Sequence, residues 1–185
     1  MLTHIVVPEG LAAEDNTPNE TFFLSDYFEA VLQRIIQEVP ATEPVYISPG
    51  NPFIHEASEE EYAAQYLQHQ RPELQVKYPI NIRDRPYLDT FDNARVLRKW
   101  LEQEGLWPLG EVILYCNAPH AVRSKILFEL CEFKVKNVVR CRPKQRERQM
   151  VPRLWFYNYL VVQIIYELIG LVYDLNRWVF WKLKG

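Results

Sequence analysis

Short β-branched runs alternate with helix-length amphipathic segments along almost the whole chain, and this alternation constrains the fold more than any other feature. Ile5-Val6-Val7, Val45-Tyr46-Ile47, Val76 to Ile82, Val112 to Cys116 and Val138-Val139 read as strands. Between them lie segments with apolar residues at helical spacing. Strands separated by helices of this length cannot pair as hairpins and must be joined by crossovers, which builds a parallel sheet covered on both faces. The expected fold is α/β, a three-layer Rossmann-like domain with a mostly parallel sheet. An apolar helix is expected at the C-terminal end.

The helix boundaries carry chemical signals. Ser25 stands where an N-cap is needed, before Phe28, Val31, Leu32, Ile35 and Ile36 on one face. Ser58 is followed three residues later by Glu61, a capping box opening a helix to about Gln70. Ala94, Leu97 and Leu101 mark a helix over Thr90 to Glu104, with Gly105 as its stop. Val122, Ile126, Leu130 and Phe133 mark the apolar face of another. Pro79 makes the third strand irregular, and Leu11 to Thr21 reads as polar and turn-like.

With 185 residues the chain fits one domain spanning 1–185, of which 151–185 is an apolar helical extension. Apolar residues make up 48% and charged residues 24%, a globular balance. The formal charge of −3 provides no attraction for nucleic acid. The basic run from Arg140 through Lys144 and Arg146 to Arg148 has no interleaved aromatics, so nucleic acid is not an expected partner. Cys116, Cys131 and Cys141 are odd in number and lack paired spacing, and they read as buried thiols suited to a reducing, cytoplasmic setting. The start of the chain reads as a strand broken at Pro8, not as a signal peptide.

Ligands of open parallel sheets bind at the carboxyl ends of the strands. Those ends carry Glu9 and Gly10, then Ser48-Pro49-Gly50-Asn51, and then Asn117-Ala118-Pro119-His120 with Arg123 one turn on. His120 and Arg123 at i and i+3 can face one ligand, and a helix start with an arginine favours an anion. The densest polar cluster is Asp84 to Ala94. Asp89 and Asp92 fit a helix cap, while Asp84, Asp92 and Asn93 together suit a base or a cation site. Cys116 and His120 alone do not make a zinc site. There is no P-loop and no Ser-His-Asp arrangement.

These residues resemble the YdcF/SanA/ElyC family. That family opens a helix with Thr-x-Glu-Asn-Ala, similar to Thr90-Phe91-Asp92-Asn93-Ala94, preceded by an acid at the place of Asp84. A later His-x-x-Arg helix start is similar to His120-Ala121-Val122-Arg123-Ser124. A turn like Ser48-Pro49-Gly50 and an ending similar to the family's Glu-x-x-Gly-x-x-x-Tyr-like pattern, here Glu167-Leu168-Ile169-Gly170-Leu171-Val172-Tyr173, complete the likeness from about Ile5 to Tyr173. Pro8-Glu9-Gly10 stands where the family has a glycine-rich turn, Pro49 replaces a glycine, and Tyr87 stands in place of a serine. The resemblance implies a Rossmann-like domain linked to bacterial envelope biogenesis, without a shared reaction, and with S-adenosylmethionine as one implied ligand.

Three functions follow as alternatives. The first is an enzyme acting on a phosphorylated or other anionic small molecule, with Asp84, Asp92 and His120 as its chemistry. Glu9, Ser48, Gly50, Thr90, Asn93, Asn117, Arg123 and Glu167 would then bind the ligand, with or without a divalent cation. The second is a non-catalytic module for S-adenosylmethionine or a nucleotide. The third is an assembly factor touching a membrane surface through its last helix. In that helix Gln163, Glu167, Gly170, Asp174 and Arg177 recur at steps of four and three on one stripe. Glu167 and Asp174 make a membrane span costly. Trp155, Trp178, Trp181, Lys182 and Lys184 suit a membrane interface. Glu167 is expected to be buried against the site, and Asp174 to matter little.

Overall fold

A computed structural model describes residues 2–13, 22–51, 58–80, 88–143 and 159–184. Five strands form one parallel sheet: β1 (Thr3–Val6), β4 (Val45–Ile47), β5 (Val76–Lys77), β6 (Glu111–Asn117) and β7 (Lys134–Cys141), in the order β5-β4-β1-β6-β7. Successive residues of the central strands point to opposite faces, and both faces are apolar, as a sheet covered twice requires. Val6, Val45, Ile47 and Tyr115 pack under α1 (Asp26–Glu38) and α2 (Glu59–Gln70). Ile5, Val7, Tyr46, Val112 and Leu114 pack with Leu97 and Leu101 of α3 (Thr90–Gln103) and Leu127 and Phe128 of α4 (Ala121–Leu130). The three-layer Rossmann-like fold is thus present.

The caps sit where the side chains placed them. The Ser25 hydroxyl accepts from the Phe28 N–H at 3.1 Å, and Glu61 accepts from the Ser58 N–H at 2.9 Å. Gly105, at φ 66°, closes α3 by a 6→1 bond from Leu106 N–H to Leu101 O at 2.8 Å and a 5→2 bond from its own N–H to Glu102 O. Two expectations need correction. Leu11–Ala13 is not a turn but strand β2, paired antiparallel with β3 (Phe22–Leu24). The third parallel strand stops at Lys77, before Tyr78 and Pro79; the part at Asn81 and Ile82 lies outside the described residues.

α3 carries the chain from the edge strand β5 across to β6, on the far side of β1. Winding therefore reverses between β1 and β6, the crevice position for a ligand in this kind of sheet. Glu9 follows β1, and Asn117 to His120 follow β6. Helix α5 (Leu160–Lys184) then returns along α4 and α3, with Trp178 donating to Leu130 O at 3.3 Å. Among the described residues, no helix is long and apolar enough to cross a membrane.

Candidate functional site

β6 ends at Asn117, and the Ala118 N–H donates to Cys141 O at 2.9 Å, tying the following turn to β7. His120 then occupies the N-cap position of α4. The expected apolar face of this helix holds at its far end, where Phe133 is buried and Leu130 packs against the core, but not at its start. Val122 is 54% exposed, while Ala121, Ser124, Leu127 and Phe128 are buried, and so is Arg123. Small side chains at 121 and 124 let the helix close onto its neighbours. Arg123 can be buried only because another element brings it carboxylates.

That element is α5. Gln163, Glu167 and Asp174 are buried, so the polar stripe faces the domain, as anticipated for Glu167. Glu167 Oε2 lies 2.8 Å from His120 Nδ1 and 3.6 Å from Arg123 Nη1. Asp174 corrects the expectation that it would matter little: it is fully buried, and its Oδ2 accepts from Arg123 Nε at 2.8 Å and lies 2.8 Å from Nη2. Gly170 lies between them, where a Cβ would stand 2.7 Å from the Arg123 guanidinium carbon. Its missing side chain is the space through which Arg123 passes.

On its other side, His120 Nε2 lies 3.2 Å from the Thr90 hydroxyl. Thr90, His120 and Glu167 thus form one buried chain from hydroxyl to imidazole to carboxylate. Burial alone would discharge His120, but Glu167 and then Glu9 hold its pKa above the ordinary histidine value. Burial likewise pushes Glu167 up, yet His120 and Arg123 keep it below the usual glutamate value. Both shifts favour the imidazolium–carboxylate form, in which both ring nitrogens donate.

Glu9 is buried beside this pair and accepts from the Asn117 N–H at 2.6 Å. Burial pushes its carboxyl up to about 7, against the pull of His120 and the Asn117 N–H. A group poised there exchanges protons near neutrality.

The remaining candidates divide between scaffold and site. Asp92, expected as a base or cation ligand, is ion-paired through both oxygens. Arg95 and Arg177 donate to its two oxygens at 2.8 and 3.0 Å, and together they hold its pKa below the ordinary value despite burial. Arg177 also bonds Asp89, so this cluster clasps α5 to the start of α3. Asn93, with its amide nitrogen turned to the carbonyls it meets, donates to Asp89 O and Pro49 O, both at 2.9 Å. Ser48 donates to Val6 O at 2.8 Å and so links β4 to β1. The Gly50 N–H donates to Glu60 and the Asn51 N–H to Glu59, so this turn holds the chain's own carboxylates where ligand contacts were expected. Burial raises both acids, Glu59 to about 8. Asp84, Tyr87 and most of the basic run (Lys144, Arg146, Arg148) lie outside the described residues, as does Trp155.

Several buried polar atoms around the crevice have no hydrogen-bond partner among the described residues: both amide atoms of Asn117 and of Gln163, and Asp174 Oδ1. Such atoms are costly unless a ligand or water meets them. Among the described residues, no group of three or more His, Cys, Asp or Glu side chains is placed to hold a metal ion. The three cysteines are buried thiols raised by that burial, as expected from their spacing.

Direct contacts therefore unite Thr90, His120, Arg123 and Glu167, with Glu9 and Asn117 alongside. They leave Ser48, Gly50, Asp92 and Asn93 as scaffold. Sequence reasoning missed Asp174 as a partner, and it read Glu59 and Glu60 only as part of a helix start. The signal for Asp174 was its place two turns beyond Glu167 on the same stripe. Comparison of the chain with protein-family models, with curated proteins and with solved structures found no match.

Proposed function

We propose that the crevice between the ends of β1 and β6 binds a small molecule carrying a phosphoryl or other anionic group, and that His120 transfers a proton to it. The observation that carries this reading is the buried Thr90–His120–Glu167 chain at the point where the sheet's winding reverses. Glu167 fixes the ring through Nδ1 and stabilises its charge, which leaves Nε2 as the donating edge. A ligand oxygen reaching Nε2 in place of the Thr90 hydroxyl takes a charge-assisted hydrogen bond and then the proton. Glu9, with its carboxyl at about 7, is the second group able to accept or return one. The unpartnered Asn117 amide and the start of α4 offer further donors. Arg123 supplies positive charge from behind but is committed to Asp174 and Glu167, so it tunes the site and does not grip the anion alone. The resemblance to the YdcF/SanA/ElyC family supports a role in bacterial envelope biogenesis.

A second reading, a non-catalytic site for S-adenosylmethionine, is favoured by the acid surplus. Glu9, Glu59, Glu60, Glu167 and Asp174 are all buried, and His120 and Arg123 pair with Glu167 and Asp174, which leaves Glu9, Glu59 and Glu60 to meet a sulfonium. Mass spectrometry of material released on denaturing the protein, followed by calorimetry with whatever is found, separates the two. A phosphorylated compound whose binding weakens at least about tenfold in His120→Gln, the loss of one charged hydrogen bond, supports the first reading. S-adenosylmethionine binding that is unchanged in His120→Gln overturns it.

A further inference from the structure

Helix α5 is packed the reverse way from an ordinary surface helix. Its polar stripe is buried in the domain, while Val161, Ile165, Ile169, Val172, Phe180 and Leu183 are between 51% and 78% exposed. Thirteen of the fifteen large apolar side chains found exposed among the described residues fall between Tyr159 and Leu183. At 3.6 residues per turn, the exposed positions from Leu160 round to Tyr166 cover about 240° of the helix circumference. The apolar face of an ordinary amphipathic helix is a stripe of roughly 100° or somewhat more.

We infer that α5 is seated in a lipid bilayer surface, with its axis in the membrane plane and the domain on its polar side. Three features select lipid over a second copy of the chain. One partner helix or sheet would cover only part of so wide an arc, whereas acyl chains conform to all of it. From Tyr159 to Phe180 the exposed arc carries no charge: Glu167, Asp174 and Arg177 all turn inward, and the exposed Asn176 amide donates to Val172 O. A partner surface would show polar pairing at its rim. Tyr159, Tyr166 and Tyr173 recur every seven residues along one edge of the arc, between the apolar face and the domain. Amphipathic rings of this kind settle at the boundary between hydrocarbon and headgroups. The in-plane orientation follows from the packing of α5 along α4 and α3, because the domain flanks the helix along its length. As the same helix supplies Glu167 to the crevice, the site sits about one helix diameter, roughly 10–12 Å, from the bilayer.

The test is flotation of the full-length chain with vesicles of phosphatidylcholine alone and of phosphatidylcholine mixed with phosphatidylglycerol. The attraction is apolar, so wild type floats with both kinds and continues to float in high salt. The double substitution Ile169→Glu, Val172→Glu places charges at positions that touch no part of the domain, and it lowers the bound fraction at least about tenfold while leaving the melting temperature unchanged. Wild type that stays with the soluble fraction overturns the proposal. If it sediments there as a dimer that the same double substitution dissociates, a second copy covers the face instead. If it sediments as a monomer, neither lipid nor a second copy covers the face.

Discussion

Replacing Arg123 by methionine removes the cation that lies between two buried carboxylates. The guanidinium meets Asp174 through two contacts of 2.8 Å and Glu167 through one of 3.6 Å, and all three side chains are at most 8% exposed. Breaking a buried pair from one side costs about 3–5 kcal/mol, because the partner is left charged without compensation. In a domain of this size each kcal/mol is worth roughly 2–4 °C, so the melting temperature falls by about 6–20 °C. The loss depends on pH. Asp174 already has its carboxyl pushed up to about 6 by burial, although Arg123 pulls it down. Without Arg123 it rises further and takes up a proton in the folded state. The penalty is therefore smaller near pH 5 than near pH 8. Adding Asp174→Leu removes the stranded charge, so the double variant is more stable than Arg123→Met alone, with a coupling on the order of 1–3 kcal/mol. Calorimetric melting of the four proteins at both pH values measures all of this. A loss below about 1 kcal/mol, equal at both pH values, would show that the pair is solvated and that the buried-cluster reasoning fails.

The protein as a whole is expected to melt higher near pH 5 than near pH 8.5. Glu9 at about 7, Glu59 at about 8, Asp174 at about 6 and the raised His120 all hold protons more tightly folded than unfolded, so stability falls as pH rises through that window. Glu167 and Asp92 are lowered and act only below their unfolded values of about 4.5 and 3.8, where stability is lost again on acidification; a flat profile from pH 5 to 8.5 contradicts the assignment. Gly170→Ala forces a methyl to within 2.7 Å of the Arg123 guanidinium, which costs about 1–3 kcal/mol as overpacking and moves His120 off its partner. Its histidine chemical shifts would follow Glu167, and unchanged stability and shifts would mean that Arg123 has room to spare. Ser25→Ala removes the N-cap of α1 together with the bond from the Ser25 hydroxyl to Glu9 O at 3.1 Å, and lowers stability by about 0.5–2 kcal/mol, read from denaturant midpoints.

Local chemistry was legible in the sequence wherever a residue's role depends on its near neighbours. Ser25, Ser58 with Glu61, Asp89 and Gly105 mark helix ends because capping is settled within four residues. The alternation of apolar runs and helical spacing identified the sheet and its two covered faces, since burial imposes those periods directly. Placement of the site at strand ends also followed, because parallel topology puts the ends of β1 and β6 together. Roles that depend on distant partners were not legible. Leu11–Ala13 became a strand only because Phe22–Leu24 returns to pair with it. Asp92 fitted either a helix cap or a base, and its pairing with Arg177, eighty-five residues on, was not visible. The apolar periodicity of α4 suggested Val122 as core, but the carboxylates of α5 made Arg123 the buried residue there. On α5, periodicity located the polar stripe but not which side faced the domain, because a helix with two unlike faces can be packed by either; the expectation that Glu167 turned inward came from the family resemblance. Tertiary structure settled that choice through His120 and Arg123: two buried cations need buried anions, and in satisfying them the fold turned the apolar face outward.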